Sequence, residues 1–272
     1  MDINLLKQRL ANLQNPKGQN KEKSQTIWRP GIGKHSVRIV PSKYDKSNPF
    51  KEMYVYYEIS NRMMPALSNF GEADPILEFT KKLRQSSNKE DWQLAKKLEP
   101  KMRVFVPVIV RGEEDKGVRL WEFGKQVYMD LLAIAEDEDV GDFTDPVEGR
   151  DLTVETQGKE TTGLMYNTST VRIRTKITPL STDAEQVKLW LNTQPDPMTL
   201  FKKFTYEEMK NALFAYLNPE EEIKEQADSV ESKAPETDLP WEKEETKAPA
   251  SFALSTPKKS DLESKIDDLF NI

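Results

Sequence analysis

Cationic and aromatic side chains alternate with aliphatic ones through residues 101–132, the stretch with the clearest capacity for ligand chemistry. The run before the turn has the alternation of a β-strand, with valines on one face. The polar, glycine-bounded segment 111–117 predicts a turn, and the return run alternates again, so the two runs predict a hairpin. We expect one face of this hairpin to be core and the other to carry cations and rings, namely Arg103, Phe105, Arg119, Trp121 and Phe123.

A surface of this kind suits single-stranded nucleic acid, because cations meet phosphates and aromatic rings stack on exposed bases. The competing interpretation is a plain sheet. Trp and Phe on a strand are commonly core residues, and exposed arginines are commonly just solvated. The hairpin alone leaves both interpretations open.

The sequence has few residues that could support catalysis or metal binding. There are no cysteines and one histidine, so disulfides, thiolate metal sites and histidine-based catalysis are not expected. The acidic run 136–139 lacks a second, separated carboxylate motif, so we predict no metal there and no cofactor. No run approaches the ~18 apolar residues of a membrane span, and we expect an intracellular, cytoplasmic protein.

The acidity of the chain is concentrated at its C-terminal end. The formal net charge is -6, but residues 218–272 hold 7 lysines against 15 acidic residues, a net of -8. Of the 40 basic and 46 acidic residues in the chain, 33 and 31 therefore remain in 1–217, a net of +2. A near-neutral body can still carry a basic groove, so the overall charge does not exclude a polyanionic ligand.

The pattern predicts three parts: an arm (1–20), a core (21–217) with a cysteine-free subdomain near 60–98, and a tail (218–272). The arm has leucines at helical spacing before a Pro-Lys-Gly break, which favours self-association or packing on its own core. Its candidate contact residues are Leu6, Lys7, Arg9 and Leu10. The tail is charged and rich in proline, so we expect disorder, with apolar islands that could dock partners. The candidate docking residues are Trp241, Asp267, Asp268, Leu269 and Phe270.

The fold class that we predict is α+β with a mainly β core. Short strands near 34–40, 53–59, 150–155 and 169–179 join the hairpin, with helices over 76–98, 124–135, 183–191 and 199–217. Strands with cations and rings on one face are consistent with an OB-fold-like barrel with helical insertions. Lys96, Lys97 and Lys101 lead into the hairpin, and Arg172 and Arg174 alternate along the last strand.

Two segments carry a resemblance to a known family. The run 37–45, VRIVPSKYD, and the hairpin return 117–125, GVRLWEFGK, resemble the T4-type bacteriophage single-stranded DNA-binding proteins. The overall plan is similar as well, with a small arm, a core and an acidic tail that ends near Asp-Asp-Leu.

The resemblance implies a non-enzymatic protein that coats single-stranded DNA in phage replication, recombination and repair, in the cytoplasm of an infected bacterium. It implies cooperative binding along the strand and recruitment of replication and recombination proteins by the tail. The implied DNA-binding residues are Trp92, Lys96, Lys97, Lys101, Arg103, Arg119, Trp121, Phe123, Lys125, Tyr166, Arg172 and Arg174.

The chain departs from the family pattern at two places. Asp74-Pro75-Ile76-Leu77 stands where the family has a zinc-binding Cys-x-x-Cys, so we predict that no zinc is bound. Apolar packing through Ile76, Leu77 and Phe79 would then hold the subdomain. The basic motif of the arm is also weak, which puts the strength of cooperativity in question.

Three alternatives remain from the residues: a protein-binding adaptor that works through its tail, a single-stranded RNA binder, and a metal-dependent nuclease. Stacking and phosphate contacts hardly distinguish the two sugars. The nuclease has the least support, because the carboxylates of 136–139 are adjacent in one turn.

Overall fold

The computed structural model describes residues 26–59 and 63–218. The chain divides into two compact units. In the described part of the chain, the first unit is formed by residues 26–54 and 102–202, and the second by residues 55–59, 63–101 and 203–218. The candidate residues of the arm (Leu6, Lys7, Arg9, Leu10) and of the tail (Trp241, Asp267, Asp268, Leu269, Phe270) lie outside the described residues.

The described chain contains both strands and helices, which confirms the α+β class. The strands are β1 (Ile27–Trp28), β2 (Gly33–Ile39), β3 (Lys51–Tyr56), β4 (Met64–Pro65), β5 (Lys101–Val110), β6 (Arg119–Phe123), β7 (Arg150–Gln157) and β8 (Thr168–Ile177). The helices are α1 (Pro75–Gln85), α2 (Lys89–Leu98), α3 (Lys125–Glu136), α4 (Lys159–Thr162), α5 (Ala184–Asn192), α6 (Pro197–Leu200) and α7 (Tyr206–Leu217).

The first unit is built on a mainly antiparallel sheet in the order β1-β6-β5-β2-β7-β8, with β3 beside β5. The short β1 is the exception, because it runs parallel to β6 with Ile27 opposite Leu120. In this order β1 and β8 are the two ends of the path. The closed OB-like barrel therefore stays a prediction.

One face of this sheet carries the main core of the first unit. Valines of β5 pack there with aliphatic residues of β2 and β7 and with Val127 and Leu131 of α3. The helix lies on the sheet because its buried residues, Val127, Tyr128 and Leu131, recur at helical spacing. This packing fixes α3 at the point where it leaves β6.

The register of the hairpin differs from the expected one. Val106 lies opposite Trp121 and Val104 opposite Phe123, so these rings share the valine face. The expectation that Trp121 and Phe123 share a face with Arg103 and Phe105 is wrong. Alternation gives two faces for each strand, but only the register decides which faces coincide.

The second unit contains α1, α2 and α7 around its own apolar core. Ile76 and Phe79 are buried there as predicted, while Leu77 is half-buried. The continuous helix expected over 76–98 is wrong, because α1 ends at Gln85 and α2 begins at Lys89 after the cap residue Asn88. The helix expected over 199–217 is likewise two helices, α6 and α7.

A buried carboxylate, that of Asp74, joins several segments of the second unit. Its Oδ1 accepts hydrogen bonds from the backbone N–H groups of Ile76 and Leu77 and caps α1. The same carboxylate accepts from the Tyr56 hydroxyl at 3.1 Å and from the Leu67 N–H at 2.9 Å. Burial, together with this carboxylate, raises the pKa of Tyr56, so its hydroxyl stays a donor.

Substitution of Asp74 should therefore destabilise the protein more than loss of an ordinary cap. We expect Asp74→Ala to lower the free energy of unfolding by about 3–5 kcal/mol, since it removes a cap and leaves buried donors unsatisfied. Asp183→Ala is the matched control, because Asp183 caps α5 by accepting one hydrogen bond, from the Glu185 N–H, and its loss should cost about 1 kcal/mol. Urea unfolding of the full chain measures both, and equal losses would contradict the role given to Asp74.

Candidate nucleic-acid interface

A cleft opens in the first unit where β6 runs into α3. It encloses about 250 Å³ and combines a cation, aromatic rings and backbone at a helix start. We call it the Tyr166 cleft. It is lined by Pro30, Arg103, Trp121, Glu122, Phe123, Gly124, Gln126, Val127, Tyr166, Asn167, Thr168 and Ser169. Four of the predicted DNA-binding residues, Arg103, Trp121, Phe123 and Tyr166, therefore come together here.

Trp121 and Phe123 reach this cleft only in part, because both rings belong to the core. Trp121 is 1% exposed and packs edge-on against Trp28 at 5.6 Å between ring centres. Phe123 is also buried, with its ring centre 4.6 Å from that of Trp121. Neither ring presents an open face for a base, so both form the wall of the cleft.

Tyr166 is the exposed aromatic side chain of the cleft, with 67% of its surface accessible. It lies in the connection between α4 and β8. Gly163 ends α4 with a φ of 69°, a left-handed conformation that favours glycine. The ring of Tyr166 is the one most available for stacking.

Arg103 extends past Gly124, the residue that caps the start of α3. A Cβ at position 124 would lie 3.1 Å from the Arg103 Nη1, so glycine leaves room for the guanidinium. Among the described residues no side chain caps α3, and its first turn holds no acidic residue. The exposed Lys125 is its first residue. Positive charge at a helix N-terminus is unfavourable unless an anion lies nearby.

Glu122 lines the cleft and lies between two arginines, one of which, Arg103, also lines it. Its side chain is 7% exposed and pairs with Arg29, while its Oε1 lies 3.8 Å from the Nε of Arg103. The parallel pairing of Trp28 with Trp121 brings the next residues, Arg29 and Glu122, side by side. The group carries a net charge of +1.

Arg172 and Arg174 lie on the exposed face of β8, which begins at the cleft with Thr168 and Ser169. The Nε of Arg174 donates to the Thr153 hydroxyl at 3.2 Å. Alternation turns Val171 and Ile173 toward the core. The predicted cationic face of this strand is therefore confirmed as exposed.

Arg119 does not line the cleft. Its side chain is buried and donates a hydrogen bond to Glu113 in the hairpin turn. Hydrogen bonds from Arg119 and Lys116 lower the pKa of Glu113, so this carboxylate stays charged. The structure gives Arg119 a role in holding the turn.

The remaining predicted residues, Trp92, Lys96, Lys97 and Lys101, belong to the second unit. Trp92 is exposed on α2, with the Nζ of Lys96 5.8 Å and the guanidinium of Arg84 5.6 Å from its ring. A hydrogen bond with Tyr216 raises the pKa of Lys97. These cations and the Trp92 ring form a second surface with the residue types that bind nucleic acid. It belongs to the second unit, whereas the Tyr166 cleft belongs to the first.

Sequence reasoning missed Arg29, Glu122, Gly124 and Gln126. Arg29 belongs to the site through the parallel pairing of β1 with β6, which joins segments about 90 residues apart. No local pattern predicts such a pairing. Gly124 does carry a signal, because a glycine directly between a strand and a helix often marks a close approach.

Within residues 26–59 and 63–218, no cluster of three or more His, Asp or Glu side chains is placed to hold a metal ion. In the same part of the chain, no helix has the length and apolar character needed to cross a membrane.

The chain also matches a known protein family over most of its length. A family of DNA-binding proteins, described as gp32 DNA binding protein like, matches residues 31–213, more than half of the chain. The chain belongs to this family, which confirms the resemblance seen in the sequence. No curated protein matches it.

The effect of substitution on the free energy of unfolding should distinguish the buried ring of the cleft, Trp121, from its exposed ring, Tyr166. Trp121→Ala should lower the free energy of unfolding by about 3–5 kcal/mol, because it empties a buried site in the core. Tyr166→Ala should change it by less than about 0.5 kcal/mol, as expected for an exposed side chain. Urea unfolding checks both values, and a small loss for Trp121→Ala would show that its ring is not core.

Proposed function

We propose that the protein binds single-stranded DNA without sequence preference and without catalysis, with the Tyr166 cleft as the point of contact. The observation that carries this proposal is one exposed aromatic ring beside Arg103, in a chain that belongs to a DNA-binding family. Cations supply affinity for the phosphate backbone, and the ring accepts a base face of any identity.

The geometry favours single strands over duplex. Tyr166 can stack only on a base whose face is open, and in a duplex each base is covered by its neighbours. The wall formed by Trp121 and Phe123 is part of the core, so this wall is in place before DNA binds. A preformed site lowers the ordering cost of binding.

The exposed face of β8 continues the cationic surface away from the cleft. Arg172 and Arg174 are two residues apart, so their positions on the strand lie about 7 Å from each other. They offer phosphates a second and third contact. Their contribution is electrostatic and therefore independent of the base sequence.

The wider role follows from the family and remains part of this proposal. The protein would coat single-stranded DNA cooperatively during phage replication, recombination and repair, through a core related to the OB-fold. Leu6, Lys7, Arg9 and Leu10 of the arm would contact a neighbouring copy on the strand. The acidic tail, through Trp241 and the terminal Asp-Asp-Leu-Phe, would recruit other replication proteins. No cofactor is needed for any of these steps.

Replacement of Tyr166 should weaken DNA binding without unfolding the protein. We expect Tyr166→Ala to reduce the affinity for fluorescein-labelled oligo-dT by about 5- to 100-fold, as stacking contributes about 1–3 kcal/mol per base. Fluorescence anisotropy of the full chain measures this loss. Tyr44→Ala is the control, because Tyr44 is also exposed but does not line the cleft. Equal effects of the two substitutions would argue against the cleft.

The phosphate contacts of Arg172 and Arg174 on β8 should be visible in the salt dependence of DNA affinity. The double substitution Arg172→Gln and Arg174→Gln should reduce the slope of log K against log salt by about 1.4, since each lost single-strand contact contributes about 0.7. The same anisotropy titration, repeated across a salt series, gives the slope. An unchanged slope would remove β8 from the DNA path. Parallel titrations with oligo-rU and with duplex DNA test the RNA alternative and the preference for single strands.

A further inference from the structure

We infer that Glu122 is a positioning residue for DNA binding, which holds Arg29 in place to bind a backbone phosphate. This inference rests on the proposed function, because it assigns the phosphate contact of the same cleft. It adds one cation and one carboxylate that neither the hairpin pattern nor the family resemblance singled out.

The burial of Glu122 is the first step of the argument. A carboxylate that is 7% exposed requires compensation by charge or hydrogen bonds. Arg29 and Arg103 provide it from the two sides, since β1 and β5 are the neighbours of β6. The carboxylate is therefore fixed, and it fixes the guanidinium that pairs with it.

The exposure of Arg29 is the second step. Its side chain is 59% exposed although it is paired, so more than half of it is open to solvent, and the next residue in the chain is the cleft residue Pro30. A guanidinium has five N–H donors in a planar fork, and one carboxylate oxygen does not use them all. Arg29 can therefore bind a phosphate on its outer side while it stays paired with Glu122.

A phosphate is not expected to replace Glu122 as the partner of Arg29. This decides whether Glu122 strengthens or weakens DNA binding. If Arg29 left Glu122 for DNA, the buried carboxylate would keep Arg103 alone at 3.8 Å. The favoured complex is a chain of carboxylate, guanidinium and phosphate. In that complex Glu122 helps an anion to bind, because the long side chain of Arg29 is already ordered.

Simple charge repulsion makes the opposite prediction. Removal of a carboxylate near the DNA would then tighten binding. The positioning role predicts that Glu122→Gln, which keeps the size of the side chain, weakens binding by about 3- to 10-fold at low salt. It also predicts that the effect depends on Arg29.

The test is a double-mutant cycle in the full chain, with fluorescein-labelled oligo-dT of about 16 nucleotides. Wild type, Glu122→Gln, Arg29→Gln and the double variant are titrated across a salt series. Arg29→Gln should weaken binding by about tenfold and reduce the salt slope by about 0.7. Glu122→Gln should cause no further loss in the Arg29→Gln background.

An exposed ion pair elsewhere in the first unit provides matched controls. Lys188 pairs with Glu185 on α5 at 2.9 Å, and neither residue lines the cleft. Lys188→Gln and Glu185→Gln repeat the same changes of charge and should alter affinity by less than about twofold. If Lys188→Gln lowers DNA affinity as much as Arg29→Gln does, the effect of Arg29→Gln reflects only the change in net charge.

The outcomes separate this inference from the proposed function. If wild type does not bind oligo-dT, the proposed function fails. If wild type binds and Glu122→Gln binds as well or tighter in both backgrounds, only the positioning role fails. If thermal unfolding shows that Glu122→Gln is not folded, the inference is tested by the DNA affinity and salt slope of Arg29→Gln, which changes an exposed side chain. In that case an unchanged affinity and salt slope overturn the inference.

Discussion

The register between β5 and β6 is the constraint on which the rest of the first unit depends. Because Val106 faces Trp121 and Val104 faces Phe123, two large rings enter the main core of the first unit. A shift of one residue would exchange the two faces of β6 and place Leu120 and Glu122 on the valine face in their place. The observed register gives the cleft a rigid aromatic wall. The groups proposed to contact DNA are then the other lining residues, Tyr166 and Arg103, near the point where β6 ends and α3 begins.

The second unit has no cysteine at the position of the Cys-x-x-Cys that the family resemblance implies. Asp74 stands in the segment that replaces the Cys-x-x-Cys pattern, and its carboxylate joins α1, β3 and the turn at Leu67. Hydrogen bonds that converge on one buried carboxylate can organise a small core, provided that every donor is satisfied. Apolar residues such as Ile76 and Phe79 supply the remaining stability.

Much of the fold could be predicted from local pattern, because alternation and helical spacing are local properties. The strand β5, the start of α3 and the exposed arginines of β8 follow from such patterns. Interruption of a helix at Asn88 is harder to predict, since a capping side chain competes there with an otherwise continuous pattern. The burial of Trp121 and the pairing of Arg29 with Glu122 depend on long-range register. Register is not encoded in local sequence patterns, so the residue types of a candidate site can be proposed from a single sequence while their spatial arrangement cannot.

Photochemical cross-linking tests the central claim most directly, namely that the Tyr166 cleft receives the strand. Oligo-dT with 5-iodo-deoxyuridine substitutions would be bound to the full chain, irradiated and mapped by mass spectrometry. Since the halogenated base reacts with an aromatic ring on which it stacks, the account predicts a dominant cross-link at Tyr166. Cross-links confined to Trp92, or to Tyr44 outside the cleft, would contradict it.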